Sequence, residues 1–100
     1  MKTEIKQEGT QTIVTLEGRL DTTNAKDFET AIQPLLLGDN PNILLVCDNF
    51  SYISSSGLRL FLMLQKSVIT RHGSLAIKGL KPEIKEVFDM TGFSSIFTIL

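Results

Sequence analysis

The feature that most constrains this chain is a run of five apolar residues enclosed by turn-forming segments. Residues 43–47 are Ile-Leu-Leu-Val-Cys; Gly, Pro and Asn are frequent in residues 38–42, and Asp48-Asn49 follow the run. So short a run, apolar at every position, is typical of a central strand that is covered on both faces. We therefore predict a layered arrangement in which helices pack against a sheet.

The rest of the chain alternates between strand-like and helix-like patterns. Further strands are predicted at 3–7, 12–17, 75–78 and 96–100, and helices at 25–36, 57–71 and 82–91. A short turn separates the first two strands, so we expect an antiparallel hairpin there. The later strands follow helices, which implies parallel pairing through right-handed crossovers. The predicted fold class is α/β, with a mixed, mostly parallel sheet, an N-terminal antiparallel strand and the order β-β-α-β-α-β-α-β.

Three residues mark the ends of the predicted helices. Pro34 lies near the end of the first helix, where its missing N–H should fray or kink the last turn. Gly73 follows the second helix and is predicted to be its C-cap glycine. Gly92 lies where the third helix is expected to stop.

The second predicted helix is apolar almost all round. Its predicted core stripe consists of Leu58, Phe61, Leu62, Gln65, Val68 and Ile69. A helix that packs on a sheet with one face needs only one such stripe, and Leu60, Met63 and Leu64 lie outside it. These three side chains either pack against a neighbouring helix, which we favour, or form an exposed contact for a partner.

The length and the net charge of the chain limit the classes of protein to which it can belong. One hundred residues suit a single domain, predicted at 1–100, and ten basic against eleven acidic residues leave the net charge near zero. That balance gives no electrostatic reason to expect a nucleic acid or an anionic membrane as a partner. The N-terminal residues lack the apolar core of a signal peptide, and no stretch approaches the ~20 apolar residues of a membrane span. We therefore expect a cytoplasmic protein.

An enzymatic function is not expected from the reactive residues. Cys47 is the only cysteine and lies within the apolar run, which favours a buried, inert thiol. His72 is the only histidine, and a helix of ~15 residues would separate it from the serines near position 55 by about 20 Å. No metal-ligand cluster, phosphate-binding loop or paired carboxylates are recognisable, so no cofactor is predicted.

Ser54, Ser55 and Ser56 precede Gly57 immediately before the long helix. One of them should cap the helix, because a serine hydroxyl bonds an otherwise unpaired amide of the first turn. Three serines exceed what capping requires. Since a helix N-terminus carries partial positive charge and free amides, it also tolerates a phosphate well. The segment therefore predicts either a simple cap or a phosphorylation switch, for which Arg59 could supply a partner charge.

Three segments together resemble the STAS domain of anti-sigma factor antagonists. They are Gly18-Arg19-Leu20-Asp21, Ser54-Ser55-Ser56-Gly57-Leu58, and Leu80-Lys81-Pro82 continuing through Val87-Phe88-Asp89-Met90-Thr91-Gly92-Phe93. They occur in the family's order, and the resemblance covers essentially the whole chain. It implies a mixed sheet with helices packed against it, in agreement with the pattern of predicted elements.

The resemblance also implies a function and a site. Antagonists of this family bind a kinase-type anti-sigma factor only when a serine is unphosphorylated; that kinase adds the phosphate and a serine phosphatase removes it. The family's modified serine falls on Ser55. The implied partner-binding residues are Asp21, Thr22, Thr23, Ser54, Ser56, Gly57 and Arg59.

The chain departs from the family pattern at two places. Ser54 replaces a common aspartate, which removes a negative charge beside Ser55 and makes Ser54 a second candidate for modification. Many relatives also continue into a further helix after the last strand, and a chain ending at Leu100 could leave an exposed apolar strip. A STAS binding subunit of a transporter-ATPase or of a signalling scaffold, without a phosphorylation switch, is the alternative function.

Overall fold

Five strands lie in one sheet in the order in which they occur along the chain. The computed structural model describes residues 1–100. Its strands are β1 (Lys2–Glu8), β2 (Gln11–Leu20), β3 (Asn42–Ile53), β4 (Ser74–Lys78) and β5 (Thr98–Ile99). Its helices are α1 (Ala25–Ala31), α2 (Ser55–Thr70) and α3 (Pro82–Met90), with short 3-10 helices at Gln33–Leu36 and Phe93–Ser95.

The strand pairing confirms the predicted fold class. β1 is antiparallel to β2, and their register closes at Glu8 opposite Gln11, on either side of the turn at Gly9. The pairs β2–β3, β3–β4 and β4–β5 are all parallel. Each parallel pair is joined by a helical connection, as the alternation of predicted strands and helices implied.

The predicted burial of residues 43–47 on both faces is wrong. Where β2, β3 and β4 pair before the register shifts, each buries alternate residues, and the buried face contains Val14, Leu45 and Ile77 in register. On the other face Leu44 and Val46 are only half-buried. The helices pack into a single core with the first face. An apolar run alone cannot distinguish a strand covered twice from one that keeps apolar residues on an open face.

β3 is also longer than predicted. The polar pair Asp48-Asn49 was expected to end it, yet the strand continues to Ile53. Its register with β2 shifts at two places, after Thr15 and after Gly18. Such irregularities place extra residues in one strand and turn them outward. They let Asp48 and Asn49 face solvent while Phe50 returns to the core.

The first α-helix is shorter than the predicted 25–36, and its last turn is altered at Pro34 as expected. α1 stops at Ala31, and a 3-10 turn over Gln33–Leu36 follows. Pro34 lies in that turn, where it cannot donate the backbone hydrogen bond that would continue an α-helix. None of the helices combines the length and the hydrophobicity that crossing a membrane would require.

The buried face of α2 differs in part from the predicted stripe. Leu58, Phe61, Gln65 and Val68 are buried as expected, but Ile69 is 58% exposed. Leu62 is half-buried, whereas Leu60 and Leu64 are buried and Met63 packs partly against the core. α2 touches α1 and the 3-10 turn as well as the sheet. A second neighbour widens the buried face, which confirms that the additional apolar residues pack internally.

The predicted role of Gly73 as the C-cap glycine of α2 is wrong. His72, not Gly73, adopts the left-handed conformation, with φ of 60°. Gly73 is required instead for close packing, because a Cβ atom there would lie 2.2 Å from the carbonyl oxygen of Pro41. The glycine therefore serves the contact between α2 and the loop before β3, which sequence alone does not reveal.

All six phenylalanines form one connected aromatic cluster around Phe61. The ring centroid of Phe61 lies 5.9 Å from that of Phe28 in α1 and 6.0 Å from that of Phe50 in β3. It lies 6.0 Å from Phe88 in α3 and 6.4 Å from Phe97. One fully buried ring thus connects the sheet with all three helices.

Arg71 ties the end of α2 to the segment that follows α1. Its Nη2 donates to the Leu35 carbonyl at 2.6 Å, and its Nη1 donates to the Leu37 and Gly38 carbonyls at 2.8 and 3.2 Å. Its Nε bonds Ser67 one turn earlier. The planar guanidinium satisfies carbonyls that the end of the 3-10 turn leaves without helical partners.

Substitution of Phe61 should destabilise the fold more than substitution of a phenylalanine at the cluster's edge. We expect Phe61→Leu to lower the free energy of unfolding by about 1–3 kcal/mol, because four aromatic contacts are lost and a void remains. Phe93→Leu, at a half-buried position, is the matched control and should cost less than about 1 kcal/mol. Urea unfolding measures both; equal losses would contradict the central role of Phe61.

The carbonyl contacts of Arg71 should depend on its fork-shaped head group. We expect Arg71→Lys to lower the free energy of unfolding by about 1–3 kcal/mol, since one ammonium group cannot reach all three carbonyls. Arg59→Lys, at an exposed position of the same helix, should change stability by less than about 0.5 kcal/mol. Thermal and urea unfolding of both variants provide the measurement, and an unchanged Arg71→Lys variant would refute the expectation.

Candidate functional site

The predicted site lies where β2 and β3 end side by side. Leu20, the last residue of β2, is in register with Ile53, the last residue of β3. The backbone N–H of Ser54 donates a hydrogen bond to the Leu20 carbonyl oxygen at 2.9 Å, so the two strands diverge only beyond this bond. The segments that follow, beginning at Asp21 and at Ser55, therefore leave the sheet at the same edge.

The segment after β2 is a rigid turn. The Asp21 carboxylate accepts hydrogen bonds from the Thr23 hydroxyl at 2.6 Å and from the Thr23 N–H at 3.0 Å. The Asn24 side chain accepts from the Asp21 N–H and donates to the Arg19 carbonyl. The hydrogen bond from the Thr23 hydroxyl, with that from its N–H, holds the pKa of Asp21 below its usual value. Asp21 therefore carries its charge at neutral pH, while Thr22 and Thr23 are exposed.

The three serines have different environments. Ser54 is the N-cap of α2: its backbone is extended, and its Oγ accepts a hydrogen bond from the Gly57 N–H at 3.2 Å. Ser55 is the first helical residue and is exposed, whereas Ser56 is half-buried. The capping function thus falls on Ser54, and serine is a favoured N-cap residue.

Gly57 is buried and brings α2 close to the sheet. A Cβ atom at this position would lie 2.8 Å from the Leu20 side chain and 2.9 Å from the Ile53 side chain. Its φ is not positive, so close approach rather than backbone conformation requires the glycine. Gly57 therefore contributes to the predicted surface by positioning the serines, since it is itself buried.

An open groove runs between α1 and the first turns of α2. It brings together three of the predicted residues, Thr22, Ser56 and Arg59. It also contains Lys26 and Glu29 of α1, which the sequence did not single out. They lie three residues apart and therefore on the same side of α1, so this helical spacing of two charged residues was the available signal.

A second pair of residues near this edge, Arg19 and Tyr52, was also not predicted from the sequence. The guanidinium carbon of Arg19 lies 4.2 Å from the centre of the Tyr52 ring, a cation–π contact between neighbouring strands. The two residues are in register, one position before the ends of β2 and β3. Tyr52 is 40% exposed, so the pair forms part of the surface around the site. Only the β2–β3 register reveals it.

The other reactive residues do not converge on this edge. Cys47 is fully buried, as predicted, and burial raises the pKa of its thiol to about 12. His72 lies just beyond the opposite end of α2, which begins at Ser55 and is sixteen residues long. No group of three or more His, Cys, Asp and Glu side chains is arranged to hold a metal ion.

The sequence of the chain matches a known family and named relatives. The profile of the STAS domain matches residues 2–100. The Bordetella bronchiseptica protein BtrV, a candidate anti-sigma factor antagonist, is 33% identical over 87 residues, which are 87% of this chain and 75% of that protein.

Solved structures share the fold. A candidate anti-sigma factor antagonist from Thermotoga maritima superimposes with a TM-score of 0.88 at 23% identity, covering 97% of this chain and 84% of its own. The Bacillus cell fate determinant SpoIIAA in its phosphorylated form gives a TM-score of 0.73 at 16% identity, covering 99% and 91%. Such identities show a common fold and nothing finer. With the family profile spanning nearly every residue, the chain belongs to the STAS domain family.

Proposed function

We propose that residues 1–100 act as one STAS domain that is an anti-sigma factor antagonist and is controlled by phosphorylation of Ser55. The proposal rests on the different environments of two neighbouring serines. The side chain of Ser54 caps α2, whereas Ser55 is exposed. The 33% identity to BtrV supports the same class of function. The protein is proposed to work in the cytoplasm as a binding module, without catalytic activity of its own.

Accessibility distinguishes Ser55 from its neighbours as a kinase substrate. The Ser54 hydroxyl is engaged by the Gly57 N–H, and its modification would remove the cap. Ser56 is half-buried in the groove between α1 and α2. Ser55 can accept a phosphate without disturbing either contact.

The surroundings of Ser55 suit a phosphate. It is the first residue of a sixteen-residue helix, where the amides of the first turn and the helix dipole favour negative charge. Arg59 is four residues further along and exposed, the spacing at which helical side chains meet. Phosphorylation adds roughly −1.5 to −2 charges and three acceptor oxygens. The electrostatics of the surface would therefore change while the helix stays intact.

The proposed partner-binding surface surrounds this switch. It comprises Asp21, Thr22 and Thr23 from the rigid turn and Ser54, Ser56 and Arg59 from α2, with Gly57 acting through packing. The proposed partner is an anti-sigma factor that is also a serine kinase, and a serine phosphatase would restore the binding form. The ionised Asp21 beside the serines gives the unphosphorylated surface one negative charge, to which a phosphate would add.

Phosphorylation should occur at one serine of the three. We expect incubation with ATP and an anti-sigma factor kinase from the same genome to add a single phosphate to Ser55, mapped by mass spectrometry. Ser55→Ala should abolish the modification. Ser54→Ala should keep it but lower the free energy of unfolding by about 1 kcal/mol, because the N-cap is lost.

Comparison of Ser55→Ala with Ser54→Ala distinguishes the serine that is phosphorylated from the serine that caps α2. Phosphate on Ser54, or modification that persists in Ser55→Ala, would contradict the assignment of Ser55. A chain that no such kinase modifies would refute the phosphorylation switch.

Binding should be sensitive to charge at position 55. We expect Ser55→Asp to weaken binding of the unmodified chain to the kinase-type anti-sigma factor by at least about tenfold, because it adds negative charge to the proposed interface. Isothermal titration calorimetry or a pull-down measures the change.

Ser74→Asp is the matched control for this experiment. Ser74 is exposed and lies at the first residue of β4, at the opposite end of the parallel strands, so the same charge there should leave binding unchanged. Equal affinities for wild type and Ser55→Asp would favour a constitutive STAS subunit of a transporter-ATPase or scaffold instead.

A further inference from the structure

β1 is an outer strand of the sheet, and its second edge is free. It pairs only with β2, so the backbone N–H and C=O groups along its other side have no strand partner. The strand is seven residues long, contains no proline and keeps a continuous register with β2. Bulges and prolines are among the devices that prevent such an edge from pairing with another chain, and β1 has neither. Its charged side chains also oppose pairing, except in a register where each of them faces an opposite charge.

The side chains of β1 alternate strictly between the two faces of the sheet. Ile5 is opposite Val14 and therefore faces the side that carries the core, yet it is 42% exposed. The charged residues on the open face are Lys2, Glu4, Lys6 and Glu8. They form ion pairs within the strand, Lys2 to Glu4 at 2.9 Å and Lys6 to Glu8 at 3.6 Å.

We propose that β1 pairs antiparallel with β1 of a second copy of this chain, about a two-fold axis at Ile5. In this register Lys2 lies opposite Glu8 of the second copy, and Glu4 lies opposite Lys6. By symmetry the same pairs recur on the other side of the axis. Every charged residue of β1 then faces an opposite charge, and the two five-stranded sheets become one continuous sheet.

The charge order selects this register over its neighbours. Opposed residues of an antiparallel pair point to the same face, so a two-fold pairing can shift only in steps that keep each residue on its face. An axis at residue 4 would place Glu4 opposite Glu4 of the second copy and Lys2 opposite Lys6. An axis at residue 6 would place Lys6 opposite Lys6 of the second copy and Glu4 opposite Glu8. Like charges directly opposite one another are unfavourable, whereas the central register has none.

The other face of β1 supports the same register. Ile5 lies on the axis and would contact Ile5 of the second copy, which covers an apolar side chain that the monomer leaves exposed. The flanking pairs would be Thr3 with Gln7, both uncharged. The strand is therefore complementary to itself on both faces, which is the property of a two-fold interface between identical chains.

Disulfide trapping tests the position of the axis. Opposed residues in an antiparallel pair have Cα atoms roughly 4.5–5.5 Å apart, within disulfide range. Ile5→Cys should therefore form a disulfide-linked dimer under mild oxidation, seen on a non-reducing gel. Thr3→Cys is the matched control, because the two copies of residue 3 would be offset by about 13 Å along the strands. Native Cys47 is buried in both variants and should not cross-link.

Charge exchange tests the register independently. Glu4→Lys places lysines opposite Lys6, and Lys6→Glu places glutamates opposite Glu4, so each variant alone should dimerise about tenfold more weakly than wild type. An equimolar mixture restores opposite charges at every position and should recover the wild-type affinity. Sedimentation velocity gives the association constants.

The results that overturn the proposal are specific. A wild-type chain that remains monomeric at about 1 mM would exclude the pairing. So would equal cross-linking of Thr3→Cys and Ile5→Cys, or a mixture of the charge variants that associates no better than its components. Because the mixture must recover what each variant loses, a folding defect in either variant cannot imitate the expected result.

Discussion

The packing around Phe61 is the interaction on which the rest of the structure depends. Its ring is fully buried and contacts phenylalanines from α1, β3, α3 and the segment before β5. A helix that lies on a sheet can slide or rotate unless side chains from several directions interlock with it. Phe61 provides that interlocking for α2. The position of the serines at the start of α2 is therefore a consequence of core packing two turns away.

At the start of α2, Gly57 and Ser54 have structural roles that Ser55 does not share. Gly57 removes the Cβ atom that would hold the helix away from Leu20 and Ile53, and Ser54 satisfies an amide of the first turn. With these requirements met, Ser55 is free of any structural task. This separation would let the proposed phosphorylation of Ser55 leave the fold around it intact.

The two proposed interfaces occupy different parts of the sheet. The switch lies where the parallel strands end, and the self-complementary edge lies along β1, which is separated from β3 by β2. Pairing through β1 would leave the turn at Asp21–Asn24 and the first turn of α2 outside the strand pair. A second copy and an anti-sigma factor would therefore use separate surfaces of the same chain.

The sequence by itself determined which segments become strands and helices, because periodicity, turn residues and Pro34 act over a few neighbouring positions. It also located the serines at a helix start. The tertiary structure decided what depends on distant partners: the open face beside Leu44 and Val46, the continuation of β3 past Asp48, the wide buried face of α2, and the Arg19–Tyr52 contact. Those features follow from strand register and helix packing, which bring together residues that no local pattern connects.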